Sequence, residues 1–274
     1  MYRALLLALA TAGFIWAAAS AVAPNAEQII RKSVDAIKRD WEQTPKYSYL
    51  ERDVDSKRHS PPIIKTYRVL VIDGSPYNLV TAINDRPLSP SQQGEEQRRL
   101  QREIEKRQNE SKRERGKRIA KYDRDRLHDH MMLQEMVNAF QFHLTGEAKV
   151  DGRSCWVLDA LPRLGYIATN HEGQVLKGMK GRLWIDQATN QWVKVHAEVV
   201  KPVSFYGFLA KVGPGTEFDL EQAPMVDNVW MPTRFEVRVN STALGFFNIR
   251  STEYDTYRDY QPMPEASALL QSTK

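Results

Sequence analysis

Alternation of apolar and polar residues limits the fold of this chain more than any other feature. About ten short runs rich in Val, Ile, Tyr and Leu lie before residue 90 and after residue 139. Turn-forming residues such as Asp73-Gly74 and Asp151-Gly152 separate them. Runs of this kind at this spacing predict an antiparallel sheet or barrel. A sheet of so many strands curls, and a curled sheet has a concave face that can hold a ligand.

Within these runs the apolar residues fall on one side of each predicted strand. Leu183 and Ile185 alternate with Arg182 and Trp184, and the segment 192–199 repeats the pattern. Strict alternation predicts one face that is buried or lipid-lined and one face that is wet. The pattern alone does not say which face is concave.

The N-terminal segment 1–23 is typical of a secretory signal peptide. Arg3 precedes an uncharged run, and small residues near its end favour cleavage around 21–23. An uncleaved anchor in the inner membrane is the alternative, because about twenty apolar residues can span a bilayer. No Cys follows the run and Cys155 is the only cysteine, so neither a lipid-attachment motif nor an intramolecular disulfide is predicted. We expect an exported, periplasmic protein.

The mature chain reads as one domain at 24–262, followed by a frayed tail at 263–274. It begins with an amphipathic helix, because apolar residues recur at helical spacing from Ile29 to Trp41. Asn25 is its predicted N-cap and Pro45 ends it. A second helical region, 89–140, interrupts the strand pattern and is predicted to be an insertion.

The segment 95–126 is densely charged. Of the 39 basic and 34 acidic residues of the chain, thirteen and eight lie there, which leaves 26 of each elsewhere. A coiled coil is excluded, because Leu100 and Ile104 do not form a sustained apolar stripe. Interleaved acids and the lack of an aromatic residue before Tyr122 argue against nucleic acid. Two interpretations stay open: a solvated helix, or contact with anionic lipid head groups.

Acidic residues precede basic ones by four positions in this segment, which predicts local ion pairs. The predicted pairs are Glu95–Arg99, Glu103–Arg107 and Glu114–Arg118.

Motifs that indicate catalysis or metal binding are absent from the sequence. His128 and His130 would point apart on a helix, and no cysteine cluster supports a metal site. The chain has no nucleophile elbow, phosphate-binding loop or dinucleotide-binding glycine motif. We therefore predict no enzyme, metal or cofactor. A His and an acid within hydrogen-bond reach in one cleft would reopen that question.

Three apolar segments remain as candidate ligand contacts. The helix 127–140 carries a broad apolar face rich in Met, which either packs over the sheet or forms a lid over a cavity. The aromatic-rich pieces 204–210 and 243–247 would either rim a cavity mouth or fill the core.

Four stretches carry a resemblance to a known family: DGSPYNLVTAINDRPLS, GRSCWVLDALPR, KGRLWIDQATNQWVKVHAEVVKPVSF and VWMPTRFEVRV. They resemble exported bacterial proteins, typical of acidobacteria, that are described as outer-membrane-lipoprotein-sorting-like. The resemblance covers nearly all of the mature chain. It implies a mainly β, α+β fold similar to LolA and RseB, an unclosed antiparallel barrel with helices over its open side. Better-known relatives bind acyl chains of lipoproteins or regulate envelope stress.

The sequence therefore favours a periplasmic binding or carrier protein for a lipid or an acylated, lipoprotein-like ligand. The predicted contacts are Met131, Met132, Met136 and Phe140 on the lid, Trp184 and Phe235 on the wall, and Phe205, Phe208, Leu209, Phe246 and Phe247 on the rim. The alternative is an RseB-like interaction or sensor module whose partner surface is the charged hairpin 89–126. An envelope hydrolase is the third hypothesis.

Overall fold

The computed structural model describes residues 25–57, 60–169, 173–205, 210–243 and 247–263. The predicted signal peptide, and the predicted tail beyond Met263, lie outside these ranges. None of the described helices is long and apolar enough to cross a membrane.

The described residues contain thirteen strands, which form one antiparallel sheet. Along the main path the strands follow the order β4-β3-β2-β1-β13-β12-β11-β8-β7-β6-β5, and β9 and β10 extend from β12. The strands are β1 Tyr47–Lys57, β2 Ile63–Ile72, β3 Ser75–Ile83, β4 Arg86–Pro87, β5 Phe140–Val150, β6 Arg153–Pro162, β7 Met179–Asp186, β8 Trp192–Val199, β9 Val203–Phe205, β10 Ala210–Val212, β11 Glu217–Pro224, β12 Trp230–Ala243 and β13 Phe247–Pro262.

The two edge strands of this path, β4 and β5, do not pair with each other in the described chain, so the sheet is unclosed. The predicted mainly β fold with an open antiparallel sheet is confirmed. Pairing of β1 with β13 joins the N-terminal meander to the C-terminal strands.

In the described part of the chain four α-helices accompany the sheet: α1 Ala26–Gln43, α2 Pro90–Gln108, α3 Lys112–Ala139 and α4 Gly173–Leu176. Asn25 caps α1 as predicted, since its Oδ1 accepts a hydrogen bond from the backbone N–H of Gln28 at 2.8 Å. Ser89 and Ser111 begin α2 and α3 with reciprocal capping boxes. These caps explain why the helical region breaks into a hairpin between residues 108 and 112.

The main core lies between the sheet and a layer formed by α1, α4 and the C-terminal end of α3. Ile29 and Ile30 of α1 pack against Leu158 and Leu183 of the sheet, and Phe140 joins them at the start of β5. All five side chains are buried. We call the sheet face under these helices the inner face and the opposite one the outer face.

The charged hairpin is docked on the sheet by a buried arginine, although most of its surface is solvated. Arg107 is 7% exposed, and its guanidinium donates to the carbonyl oxygens of Ile72 (2.8 Å), Ser75 (2.8 Å) and Pro76 (3.2 Å). It also forms the predicted ion pair with Glu103, at 2.8 Å. A wholly solvated helix is therefore the wrong description of this segment.

A second arginine ties α3 to the same turn. Arg118 donates to the carbonyl oxygen of Asp73 at 3.2 Å and pairs with Glu110 at 2.7 Å. The predicted pairs Glu114–Arg118 and Glu95–Arg99 are replaced by other pairs. Arg118 binds Glu110, and Arg99 binds Glu96. Glu114 instead forms the capping box with Ser111 at the start of α3. The four-residue spacing of charges does not predict this role.

Candidate functional site

An apolar cavity of about 400 Å³ lies between the inner face and the helices. It is lined by Met136, Phe140, Ala160, Val175, Leu176, Met179, Gly181, Leu183, Trp192, Val195, Ala197, Phe218, Asp219, Leu220 and Phe235. Asp219 contributes through its main chain, because its carboxylate is bound to His196 on the outer face.

The floor of the cavity comes from strands β7, β8, β11 and β12. Leu183, Val195, Leu220 and Phe235 are successive cross-strand partners, so their side chains share one face of the sheet. Each strand contributes one apolar residue from its inward-facing side, and these residues form a row across the four strands. Register, which is fixed by pairing between distant segments, decides which residues meet in the row.

Small residues in the neighbouring row leave room above the floor. Gly181 pairs with Ala197, which pairs with Phe218. A Cβ at Gly181 would lie 3.1 Å from the carbonyl oxygen of His196, so a larger residue there would have to displace backbone. Two small residues side by side therefore create space that Leu or Val would fill.

The roof of the cavity is made by Met136 of α3, Phe140 at the start of β5, and Val175 and Leu176 of α4. The segment that connects β6 to α4 is tied back to this roof. Its Arg163 donates from Nε and Nη2 to the carbonyl oxygens of Asn138 and Phe140, both at 3.1 Å.

A buried carboxylate completes this attachment. Glu135 is 7% exposed and accepts hydrogen bonds from the Tyr166 hydroxyl, the Thr169 backbone N–H (3.2 Å) and the Thr169 hydroxyl (3.0 Å). The bond from Tyr166, helped by those from Thr169, holds the pKa of Glu135 below its ordinary value. Glu135 is thus ionised at neutral pH and fixes the connecting segment against α3.

Three of the residues predicted to contact a ligand line the cavity: Met136, Phe140 and Phe235. Met131 is 47% exposed and is not part of the cavity wall. Trp184 also lies elsewhere. Trp184 follows Leu183 in β7, so its side chain lies on the other face of the sheet. There it is next to Lys194, whose Nζ is 5.9 Å from the indole centroid.

The remaining predicted contacts cannot be assigned to the cavity. Met132, Phe205 and Phe247 lie in α3, β9 and β13, but their side chains fall outside the described part of the structure. Phe208, Leu209 and Phe246 lie outside the described residues altogether. The aromatic rim therefore stays a prediction.

Sequence reasoning missed the contribution of α4 and of β11. Val175, Leu176 and Met179 form a short apolar cluster in the sequence, and Phe218 and Leu220 alternate with acids. Both patterns are present in the sequence, but neither indicates a cavity by itself. The pairing of β11 with β8 is needed, because it places Leu220 beside Val195.

The outer face holds a His–Asp pair, the geometry that would reopen the question of an enzyme. His196 Nδ1 lies 2.8 Å from Asp219 Oδ1. Asp159, Arg182, His196 and Asp219 are successive cross-strand partners, and Arg182 binds Asp159 through two bonds of 2.6 and 3.0 Å, which lowers the pKa of that carboxyl. The pair is thus part of a cross-strand ladder of charged groups, away from the cavity.

Metal binding has no geometric support in the described residues, which contain no group of three or more His, Cys, Asp and Glu arranged around a common point. The solitary Cys155 is buried, and burial raises the pKa of its thiol. It fits the predicted role of a buried strand residue.

No family model and no curated protein matches the sequence. Solved structures give remote likenesses. The LolA superfamily protein NE2245 from Nitrosomonas europaea is 11% identical over 90% of this chain and 97% of its own, with a TM-score of 0.33. An outer membrane lipoprotein-sorting protein domain from Vibrio parahaemolyticus is 9% identical over 89% and 98%, with a TM-score of 0.35.

The Pseudomonas aeruginosa MucA/MucB complex is a third neighbour, 11% identical over 85% of this chain and 99% of that one, with a TM-score of 0.21. The printed names of the first two neighbours refer to the LolA superfamily and to lipoprotein sorting.

Proposed function

We propose that the protein is an exported, periplasmic binding or carrier protein that takes a lipid, or the acyl chain of an acylated polypeptide, into its inner cavity. The observation that carries this proposal is the apolar cavity between the sheet and the helices. Export rests on the signal-like segment 1–23 of the sequence.

The size and chemistry of the cavity suit an acyl chain. Its volume of about 400 Å³ falls within the range of about 300–1,000 Å³ that is usual for small-ligand pockets. The side chains that line it are apolar, so water inside would find few hydrogen-bond partners. Each methylene group transferred from water into such a site contributes about 0.8 kcal/mol.

The first test is organic extraction of protein purified from its native periplasm, followed by lipid mass spectrometry. We expect an acyl-containing species in stoichiometric amount. Protein that is free of lipid and also fails to bind an uncharged fluorescent apolar probe would refute the proposal.

A pair of neighbouring variants then separates the cavity from the rest of the sheet. Ala197→Phe projects a ring into the cavity, whereas Lys194→Phe places the same ring on the outer face of the same strand. We expect Ala197→Phe to lose binding of an uncharged apolar probe by about tenfold or more, while Lys194→Phe binds like the parent protein. Equal binding by both folded variants would show that the ligand lies elsewhere.

The hairpin formed by α2 and α3 supports a second role, as a surface for a protein partner or an anionic membrane. Arg107 and Arg118 fix it to the β2–β3 turn, while Arg98, Arg102 and Lys117 stay exposed. Replacing these three exposed side chains by Gln removes basic charge without touching the two docking arginines. A carrier should then keep its extracted ligand, whereas an interaction module should lose its partner or its binding to anionic vesicles.

A further inference from the structure

The apolar floor of the cavity continues on the same face into a strongly acidic region. Phe235 pairs with Asp255, Asp255 pairs with Asp53, and Asp53 pairs with Lys65. In the neighbouring row Val237 is followed by Glu253 and Asp55. Cross-strand partners point to the same side of a sheet, so these carboxylates share the inner face with the cavity.

We call this region the acidic patch. It comprises Glu51, Asp53, Asp55, Glu253 and Asp255. Asp55 is balanced by Lys57 at 3.0 Å and Glu253 is exposed, while Asp53 is opposed only by its exposed cross-strand partner Lys65, so the least compensated part is Glu51, Asp53 and Asp255.

Two oxygen atoms in the acidic patch lack partners. Asp255 is only 6% exposed, and its Oδ1 and the Oδ1 of Asp53 are buried without a hydrogen bond. The other oxygen of Asp255 accepts from the Tyr257 hydroxyl at 3.3 Å, which is a long bond. Leaving a buried acceptor unsatisfied costs about 1–3 kcal/mol, and more for a charged group. Among the described residues none donates to either oxygen, so a ligand that brings a donor would be favoured here.

Charge in the acidic patch is also poorly compensated. Burial, reinforced by the neighbouring carboxylates, raises the pKa of Glu51 to about 7 and that of Asp255 to about 6. Burial likewise raises the pKa of Asp53, and Lys65 opposes that rise. A cation brought to this place would therefore be attracted by several carboxylates at once.

The acidic patch lies one strand away from the cavity wall. Asp255 is the direct partner of Phe235, and Cβ atoms of such partners are about 4.5–5.5 Å apart. A chain that fills the cavity can thus present its head group to Asp255 without leaving the inner face.

We propose that the ligand of this site is a cationic amphiphile, an apolar chain that carries an ammonium head group. This inference rests on the proposed function, because the cavity must hold the chain. An ammonium group brings three donors and no acceptor, which matches two unpaired carboxylate oxygens. Tyr257 is the cross-strand partner of Glu51 and lies on the same face, with the ring of Tyr49 edge-on to it at 6.0 Å between centroids.

The test compares three amphiphiles that share one chain: dodecylamine, dodecanol and dodecanoate. Binding to the full chain, stripped of bound lipid, is measured by calorimetry at low salt and neutral pH. We expect the amine to bind about tenfold more tightly than the alcohol, and the alcohol more tightly than the carboxylate. An alcohol or carboxylate that binds as well as the amine would overturn the inference.

Variants assign any preference to the acidic patch. The double variant Asp53→Asn, Asp255→Asn should reduce the amine-to-alcohol affinity ratio from about ten to about one. Glu147→Gln, an exposed carboxylate on β5, is the matched control and should leave that ratio unchanged. An undiminished ratio in the double variant would contradict the inference, whereas failure of all three amphiphiles to bind would refute the cavity itself.

Discussion

The two halves of the sheet present opposite chemistry on one continuous inner face. From β5 to β12 the central row consists of Leu and Val and ends at Phe235, and every member faces the helices. From β13 to β2 the same row becomes Asp255, Asp53 and Lys65. The boundary falls between β12 and β13, although the pairing of the two strands is regular across it.

The two halves of the sheet are therefore stabilised by different interactions. Burial of apolar side chains under α1 and α3 supports the first half, and this contribution does not depend on pH. The second half is joined to the hairpin by the guanidinium groups of Arg107 and Arg118 and carries carboxylates that repel one another. The halves should therefore respond differently to mutation and to pH.

The largest effect is expected in the apolar half. Leu158 is fully buried, and Leu158→Ala should lower the free energy of unfolding by about 3 kcal/mol through lost burial and a new void. Denaturant titrations at two pH values should give the same loss. Leu161→Ala, on the same strand but 45% exposed, serves as the control and should cost far less. If the loss of unfolding free energy in Leu158→Ala depended on pH, the apolar half would not be stabilised independently of pH as proposed.

The next effect concerns the attachment of the hairpin. Arg107→Met keeps the length of the side chain but leaves the carbonyl oxygens of Ile72, Ser75 and Pro76 without their donor. We expect a loss of about 2 kcal/mol, measured by thermal or chemical unfolding. Arg102→Met, exposed on the same helix, should be nearly neutral. Similar values for both variants would mean that the buried guanidinium contributes no net stability.

A smaller effect of opposite sign is expected in the acidic half. The pKa of Glu51 is raised from 4.5 to about 7, so the folded state holds this proton more tightly than the unfolded state. Stability should then fall as pH rises from 4.5 through 7. Glu51→Gln should be more stable than the parent by about 1 kcal/mol near pH 8, after allowance for solvent screening, and equal to it near pH 4. Unfolding curves at both pH values check this, and a uniform gain at both would contradict it.

The smallest effect is expected on the outer face. Arg182→Met breaks the bidentate bond to Asp159, both groups being partly exposed. We expect a loss of about 0.5 kcal/mol that shrinks as salt is added. Unfolding at two ionic strengths measures it. A loss that does not depend on salt would indicate that the arginine acts through packing of its stem.

Local patterns in the sequence predicted much of the fold, because their signals are short-range. The Asn25 cap, the helical hairpin and the alternation in β7, β8 and β12 all depend on residues within a few positions of one another. The side on which Trp184 lies is also local, since it alternates with Leu183. The structure places it on the outer face, whereas the cavity wall takes Leu183 from the same strand.

The cavity and the acidic patch were harder to predict, because both arise from pairing across long stretches of chain. Asp53 and Asp255 are partners across about two hundred residues, and nothing near either one indicates the other. The alternation of Tyr49, Glu51 and Asp53 did show a face that changes from aromatic to acidic. Without register, that face could not be placed on the same side of the sheet as Leu183.

The unequal edges of the sheet limit how copies of this protein can associate. At one edge β4 has only two residues, one of them Pro87, and it pairs only with Ala82 and Ile83 of β3, so β4 itself adds few free backbone groups. At the other edge β5 has eleven residues. Of these two edge strands only β5 offers a long row of backbone groups to another chain, so a second copy that adds to this path by strand pairing would add there.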